Sequence, residues 1–255
     1  MSPSSVPQRA TPLVLSHRGN MPGFVENTLG GFRAALAAGA DVLESDVHVS
    51  RDGVPMLFHD ETLERLTGDP RRIRDVSSHE LKTLDLGAGE GVPTLEDVLE
   101  TFPTARFNLD MKSPDAPHAT AFVLARQIAH DRVLLASFSE RNRRKVHRLM
   151  PGVATSVSAN QFLAILVATR LGLGFLVKRL VGQSRVMQIP QRALGLDAST
   201  AKFVELAHRC DVRVDYWVIN EEADMRLLLD RGADGLVTDR VELVREVIAS
   251  RHTES

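Results

Sequence analysis

A chain of 255 residues, 43% hydrophobic and 25% charged, has the composition of an ordinary globular protein, neither disordered nor fibrous. Thirty-one lysines and arginines against 33 acids leave a net charge of −2, which excludes a broad basic footprint for nucleic acid and an acidic disordered chain. The single cysteine, Cys210, excludes an internal disulfide and a multi-cysteine zinc site, and reads as a small, partly buried residue near a helix end.

Residues 1–11 hold two prolines and three serines but no apolar run, and read as a frayed tail rather than a secretory leader. From 12 to 250 no linker, repeat or shift of composition divides the chain, which predicts one domain. Strands are predicted at Leu13–Ser16, Val42–Val47, Arg106–Met111, Val133–Ser137, Val153–Ser156, Val186–Ile189, Val214–Ile219 and Gly235–Thr238. Helices are predicted between them, at Thr28–Ala38, Thr94–Thr101, Pro117–His130, Glu140–Met150, Thr200–Cys210, Glu221–Arg231 and Val241–Ser250. Strands separated by crossover helices pair in parallel, and eight of them close an α/β barrel.

A ninth run, Val54–Phe58, follows the second strand too closely to be a parallel neighbour and predicts a hairpin inserted there. Asp52-Gly53 is a strong two-residue turn signal. Pairing Arg51 with Val54 sets Asp46 across from His59, and Glu44 and His48 share that face because side chains alternate along a strand.

Polar residues gather where the predicted strands end, the end at which α/β barrels carry their sites. His17 and Arg18 follow the first strand, Glu44 and Asp46 end the second, Asp110 and Lys112 the third, Ser137 the fourth, Trp217 and Asn220 the seventh and Asp239 the eighth. Three carboxylates, Glu44, Asp46 and Asp110, are hard oxygen ligands suited to one Mg²⁺ or Ca²⁺. Arg18 and Lys112 add two cations suited to a phosphate, and His17 and His59 make an acid and a base. Together they point to phosphodiester cleavage.

The segments HRG at 17–19, ENT at 26–28, GADVLESDVHVSRDGVPMLFHDETLERLTG at 39–68, FNLDMK at 107–112, VDYWVIN at 214–220 and GADGLVTDR at 232–240 resemble the glycerophosphodiester phosphodiesterase family. The resemblance runs from residue 13 to about 245. It implies a TIM (β/α)8 barrel and metal-dependent hydrolysis of a small glycerophosphodiester to glycerol 3-phosphate and an alcohol, through attack of the neighbouring glycerol hydroxyl and a cyclic phosphate. It also implies His17 and His59 as the acid/base pair, Glu44, Asp46 and Asp110 on the metal, Arg18 and Lys112 at the phosphate, and Trp217 beside the substrate. Position 110 departs from the glutamate of many members. The shorter aspartate predicts either a water-bridged ligand or a shifted strand.

Other readings stand beside these. Asn27 is either a helix N-cap or a substrate contact. His48 either lines the cleft or lies away from it, Asp239 caps the last helix, and the remaining histidines lie on the surface. The apolar stretch Phe162–Val177 is interrupted by Arg170 and falls short of the roughly 18–20 residues that span a bilayer. It is either a packed barrel helix or a flap over 162–181 that touches acyl chains or a membrane surface, with Arg170, Lys178 and Arg179 toward headgroups. The flap and Asp110 support a rival activity, lysophospholipase D-like hydrolysis of a lysolipid. A catalytically silent binding barrel is a further alternative, disfavoured by the full set of histidines and acids. The chain is expected to be cytoplasmic.

Overall fold

The computed structural model describes residues 11–87 and 89–253, so the predicted tail lies outside the described residues except for Thr11. The chain opens with β1 (Leu13–Ser16), α1 (Leu29–Ala37), β2 (Val42–Val49), β3 (Pro55–Leu57), α2 (Glu64–Thr67), α3 (Ser78–Thr83) and α4 (Leu95–Thr101). It continues through β4 (Phe107–Met111), α5 (Ala116–Gln127), β5 (Val133–Ala136), α6 (Glu140–Leu149), β6 (Ala154–Thr155), α7 (Ala159–Arg170) and α8 (Val177–Val181). It ends with β7 (Val186–Ile189), β8 (Arg192–Ala193), β9 (Leu196–Asp197), α9 (Ala201–His208), β10 (Arg213–Tyr216), α10 (Glu222–Asp230), β11 (Gly235–Thr238) and α11 (Val241–Thr253).

Eight strands lie in the order β6-β5-β4-β2-β1-β11-β10-β7, all parallel. A bridge between Ser156 and Val186 joins the two ends, and Val157 N donates to Val186 O at 2.9 Å, so the sheet is a nearly closed TIM barrel. Among the described residues six helices start on the same device: Thr28, Ser77, Thr94, Ser139, Ser158 and Thr200 each accept from the amide three residues on. Each such cap contributes about 1 kcal/mol and stops the helix from running back into the strand loop before it.

Alternation along β2 sorts the interior. Leu43 and Val47 face outward into the main core beneath the helices, with Phe107, Leu109 and Met111 of β4 beside them. Val42 turns inward with Leu13, Leu15 and Val237, forming an apolar plug with Trp217 packed on it. Glu44 and Asp46 share the inward face, one and two steps nearer the strand's C-terminal end.

The predicted hairpin forms between β2 and β3, with its register shifted by one residue. Val47 lies opposite Leu57 and His48 opposite Met56, and Phe58 N donates to Asp46 O at 3.0 Å. The loop has three residues instead of two, because Ser50 closes it. Ser50 N donates to Val54 O at 3.0 Å, Val54 N donates to Ser50 Oγ at 3.0 Å, and Gly53 takes the left-handed φ of 83°. The segment beyond β3 packs a small core of its own from Met56, Phe58, Leu63, Ile73, Val76 and Leu81.

The apolar stretch divides. Phe162, Ile165, Leu166 and Ala168 are buried, as the packed-helix reading requires. Gln161 Nε2 donates to Leu180 O at 2.9 Å, folding α8 back along α7 into a helical hairpin whose turn exposes Leu171, Leu173 and Phe175. Among the described residues no helix is long and apolar enough to cross a membrane.

Cys210 is half-buried just past the end of α9, as expected. His208, expected on the surface, instead pairs with Asp234 at 2.7 Å, and Asp234 also accepts from Val214 N at 2.8 Å. The hydrogen bond to Asp234 raises the His208 pKa. A raised folded-state pKa gives stability that is complete below the ordinary value of about 6.5 and is lost as pH climbs through the raised one. Replacing His208→Gln is therefore expected to lower the melting temperature by about 2–4 °C near pH 5.5 and by less near pH 9, read from thermal melts at both pH values.

Candidate active site

Parallel pairing in register sets Glu44 beside Asn108 and Asp46 beside Asp110. All four side chains face a cavity of about 410 Å³ at the C-terminal ends of the strands. Lys112 follows Asp110 by two residues and shares its face; its Nζ lies 2.9 Å from Asp46 Oδ1 and 2.8 Å from Asp110 Oδ2. Asp110 thus lies in register beside Asp46.

Burial raises the Glu44 pKa well above the carboxylate range, and repulsion from Asp46 and Asp110 adds to it. Burial likewise raises Asp110. Burial alone would lower the Lys112 pKa, but Asp110 and Asp46 outweigh it and the ammonium is held charged.

The loop after β1 brings a second cation. Arg18 takes a left-handed φ of 57°, a conformation that costs an ordinary residue on the order of 1 kcal/mol. Three contacts offset that cost. Arg18 N donates to Glu44 Oε2 at 3.1 Å, Asn27 N donates to Arg18 O at 2.6 Å, and Arg18 Nε stands 3.4 Å from Asp46 Oδ2. Asn27 is neither a cap nor a wall of the cavity. Thr28 caps α1, while buried Asn27 accepts from Ser45 Oγ at 2.7 Å and donates to Asp46 Oδ2 at 3.4 Å. The loop rests directly on α1, since a Cβ at Gly31 would stand 2.6 Å from Gly19 O.

Both histidines are oriented from behind by carboxylates. His17 Nδ1 lies 2.8 Å from Asp239 Oδ1, and His59 Nδ1 lies 2.7 Å from Asp60 Oδ1. Burial works against both acids, but hydrogen bonds from the histidines and from Asn220 or Arg65 hold them below the usual carboxylate range. An ionised carboxylate only accepts, so each Nδ1 carries its proton and each Nε2 is left for chemistry. Asp239, expected to cap the last helix, directs its oxygens to His17, Asn20 and Asn220. His59 sits beyond the end of β3, so the predicted pairing with Asp46 is not made; buried His48 Nε2 meets His59 O at 3.1 Å instead. Burial lowers the His48 pKa, and His48 is not among the cavity walls.

All eight residues singled out from the sequence, His17, Arg18, Glu44, Asp46, His59, Asp110, Lys112 and Trp217, line this one cavity. Asp60 was missed as a site residue, and Asp239, placed at the strand ends but read as a cap of the last helix, was missed as the partner of His17. The dipeptide His59-Asp60 was a visible signal for the first, whereas 222 residues separate His17 from Asp239. Ser137 donates to Met111 O at 3.0 Å and so braces β4. The opposite wall is apolar: Phe138 meets the Trp217 ring edge-on at 5.9 Å, and Val157, Phe162, Pro190 and Val218 continue it.

Among the described residues no three His, Cys, Asp or Glu side chains are already gathered as a metal cage. The donor set nevertheless suits a hard divalent cation. Asp110 Oδ1 is buried without a hydrogen-bond partner, and the three oxygen-only acids crowd one another enough to raise Glu44.

The sequence matches the glycerophosphoryl diester phosphodiesterase family over residues 17–243. The chain belongs to that family. Its members are phosphoric diester hydrolases, and this chain is one. It is 35% identical over 244 residues to a Mycobacterium tuberculosis protein named probable glycerophosphodiester phosphodiesterase 2, covering 94% of this chain and 91% of that one. A human protein named lysophospholipase D GDPD1 is 26% identical, over 92% of this chain and 85% of its own. A phosphodiesterase structure from Oleispira antarctica, in complex with the product sn-glycerol-3-phosphate, superposes with a TM-score of 0.77 at 27% identity, over 94% and 97% of the two chains.

The close seat of the Arg18 loop on α1 makes a geometric prediction. Gly31→Ala drives a methyl into backbone that cannot yield locally, and is expected to cost about 1–3 kcal/mol in urea unfolding. Gly53→Ala, whose added Cβ meets nothing within 4 Å, is strained only by its φ and separates crowding from conformation.

Proposed function

We propose that this family member hydrolyses glycerophosphodiesters to glycerol 3-phosphate and an alcohol, with His17 and His59 as the acid/base pair. The observation that carries the reading is the matched pair of histidines, each with Nδ1 held by an ionised aspartate, on the walls of one cavity with three acids and two cations. One Nε2 takes the proton of the attacking glycerol hydroxyl, and the other, protonated, gives its proton to the oxygen of the departing alcohol. With the two roles exchanged, water then opens the cyclic phosphate to glycerol 3-phosphate. Acid/base assistance of this kind contributes typically 10²–10⁴-fold.

Arg18 and Lys112 neutralise the phosphate oxygens, and Trp217 with Phe138 supports the carbon skeleton. Glu44, Asp46 and Asp110 would hold one Mg²⁺ or Ca²⁺, with Lys112 shifting its contacts from the two aspartates to the phosphate. When bound, the cation supplies Lewis-acid polarisation of a phosphoryl oxygen. Charge-assisted contacts in a partly dry site are stronger than the same contacts in water.

The apolar wall favours a second reading. Phe138, Val157, Phe162, Pro190 and Val218 would cover an acyl chain. The substrate would then be a lysophospholipid cleaved to release its headgroup alcohol.

Hydrolysis of glycerophosphocholine and of lysophosphatidylcholine, each with Mg²⁺, Ca²⁺ or EDTA, separates the readings. The proposal expects turnover of the soluble diester that EDTA abolishes, and a fall of about 10²–10⁴-fold in kcat for both His17→Ala and His59→Ala. Turnover of the lysolipid alone moves the function to the second reading. A folded protein inert toward both overturns both substrate readings.

A further inference from the structure

Charge is segregated along this chain. Residues 132–196 hold eleven lysines and arginines against a single acid, Glu140, whereas the rest of the chain carries 20 against 32. In space that stretch is one continuous side of the barrel, running from β5 through α6, β6, α7 and α8 to β7. Glu140 is already neutralised by Arg143 at 2.6 Å and Arg144 at 2.8 Å. Among the described residues Arg141, Arg148, Lys178 and Arg179, all exposed, meet no carboxylate.

An apolar tip lies beside two of these cations, Lys178 and Arg179. The turn between α7 and α8 exposes Leu171, Leu173 and Phe175, the last 77% exposed. Arg170 ties this turn to the β8–β9 hairpin through Asp197 O at 2.5 Å, and that hairpin exposes Leu194. The other end of the helical hairpin walls the cavity through Ser158, Ala159 and Phe162. Large exposed apolar side chains set beside unpaired cations need a partner that is both apolar and anionic. A second copy of the chain meets this poorly, because a two-fold contact would press like charges together.

We infer that this side of the barrel docks on an anionic lipid bilayer, with Leu171, Leu173 and Phe175 entering the interface and Lys178 and Arg179 meeting headgroup phosphates. Under the lysolipid reading this also names where the hydrolase meets its substrate; the docking itself rests on neither reading. Docking is read without turnover, so failure of one leaves the other intact.

Sedimentation of the full chain with vesicles of pure phosphatidylcholine, or with about a third phosphatidylglycerol, tests it. The chain is expected to pellet with the anionic vesicles only, and to be released as salt shortens the Debye length. Lys178→Ala and Arg179→Ala should each weaken partitioning about fivefold, and Phe175→Asp should remove most of what remains. None of the three lines the cavity, so diester turnover serves as their folding control; salt release of the unaltered chain needs no variant at all. Absence of pelleting at low salt overturns the inference, as does equal pelleting with neutral vesicles. So does a dimer in light scattering that Phe175→Asp dissolves, or binding that a duplex nucleic acid competes away while Phe175→Asp leaves it unchanged.

Discussion

Three carboxylates enclosed in one barrel wall are the constraint around which this site is built. Glu44, Asp46 and Asp110 face inward from adjacent parallel strands, where water cannot screen them. Left alone they would take up protons or force the strands apart. The chain answers with Lys112 between the two aspartates and Arg18 against Asp46 and Glu44. The strained φ at Arg18, the buried Asn27 and the tight seat of the loop on α1 all serve to deliver that second cation.

The same economy extends outward to the histidines. Asp239 is steadied by Asn20 and Asn220, and Asp60 by Arg65, which in turn pairs with Glu26 at 2.6 Å. Glu26 reaches back to Arg18 at 3.4 Å. One polar network therefore runs from His59 around the cavity to the acids, while His17 is held separately through the last strand. The plug of Leu13, Leu15, Val42 and Val237 below keeps this network at the mouth of the barrel.

Strands and acids were legible in the sequence because they obey a period. Glu44 and Asp46, and Asp110 and Lys112, are two residues apart on β-branched or apolar runs, and that spacing alone fixes a shared face. The hairpin register was not legible from Asp52-Gly53, because Ser50 adds its side chain to the turn and lengthens the loop by one residue. Asp239 behind His17 was hidden for a different reason: only closure of the barrel brings the first and last strands together. The short helices α2 and α3 carry too few turns for a 3.6-residue pattern to show. The stretch 162–181 held two readings because it plays both parts, buried along α7 and exposed at its turn.

The central claim, that crowded carboxylates define the site, is tested most directly by thermal unfolding near pH 8 as Mg²⁺ or Ca²⁺ is added. An acid whose folded pKa is raised destabilises the fold at that pH, so Glu44→Gln without cation should melt above the unaltered chain. The unaltered chain should gain about 5 °C at a hundredfold excess of cation over Kd, and Glu44→Gln should lose most of that gain. A Glu44→Gln variant that melts lower without cation and responds to it as fully as the unaltered chain would contradict the account.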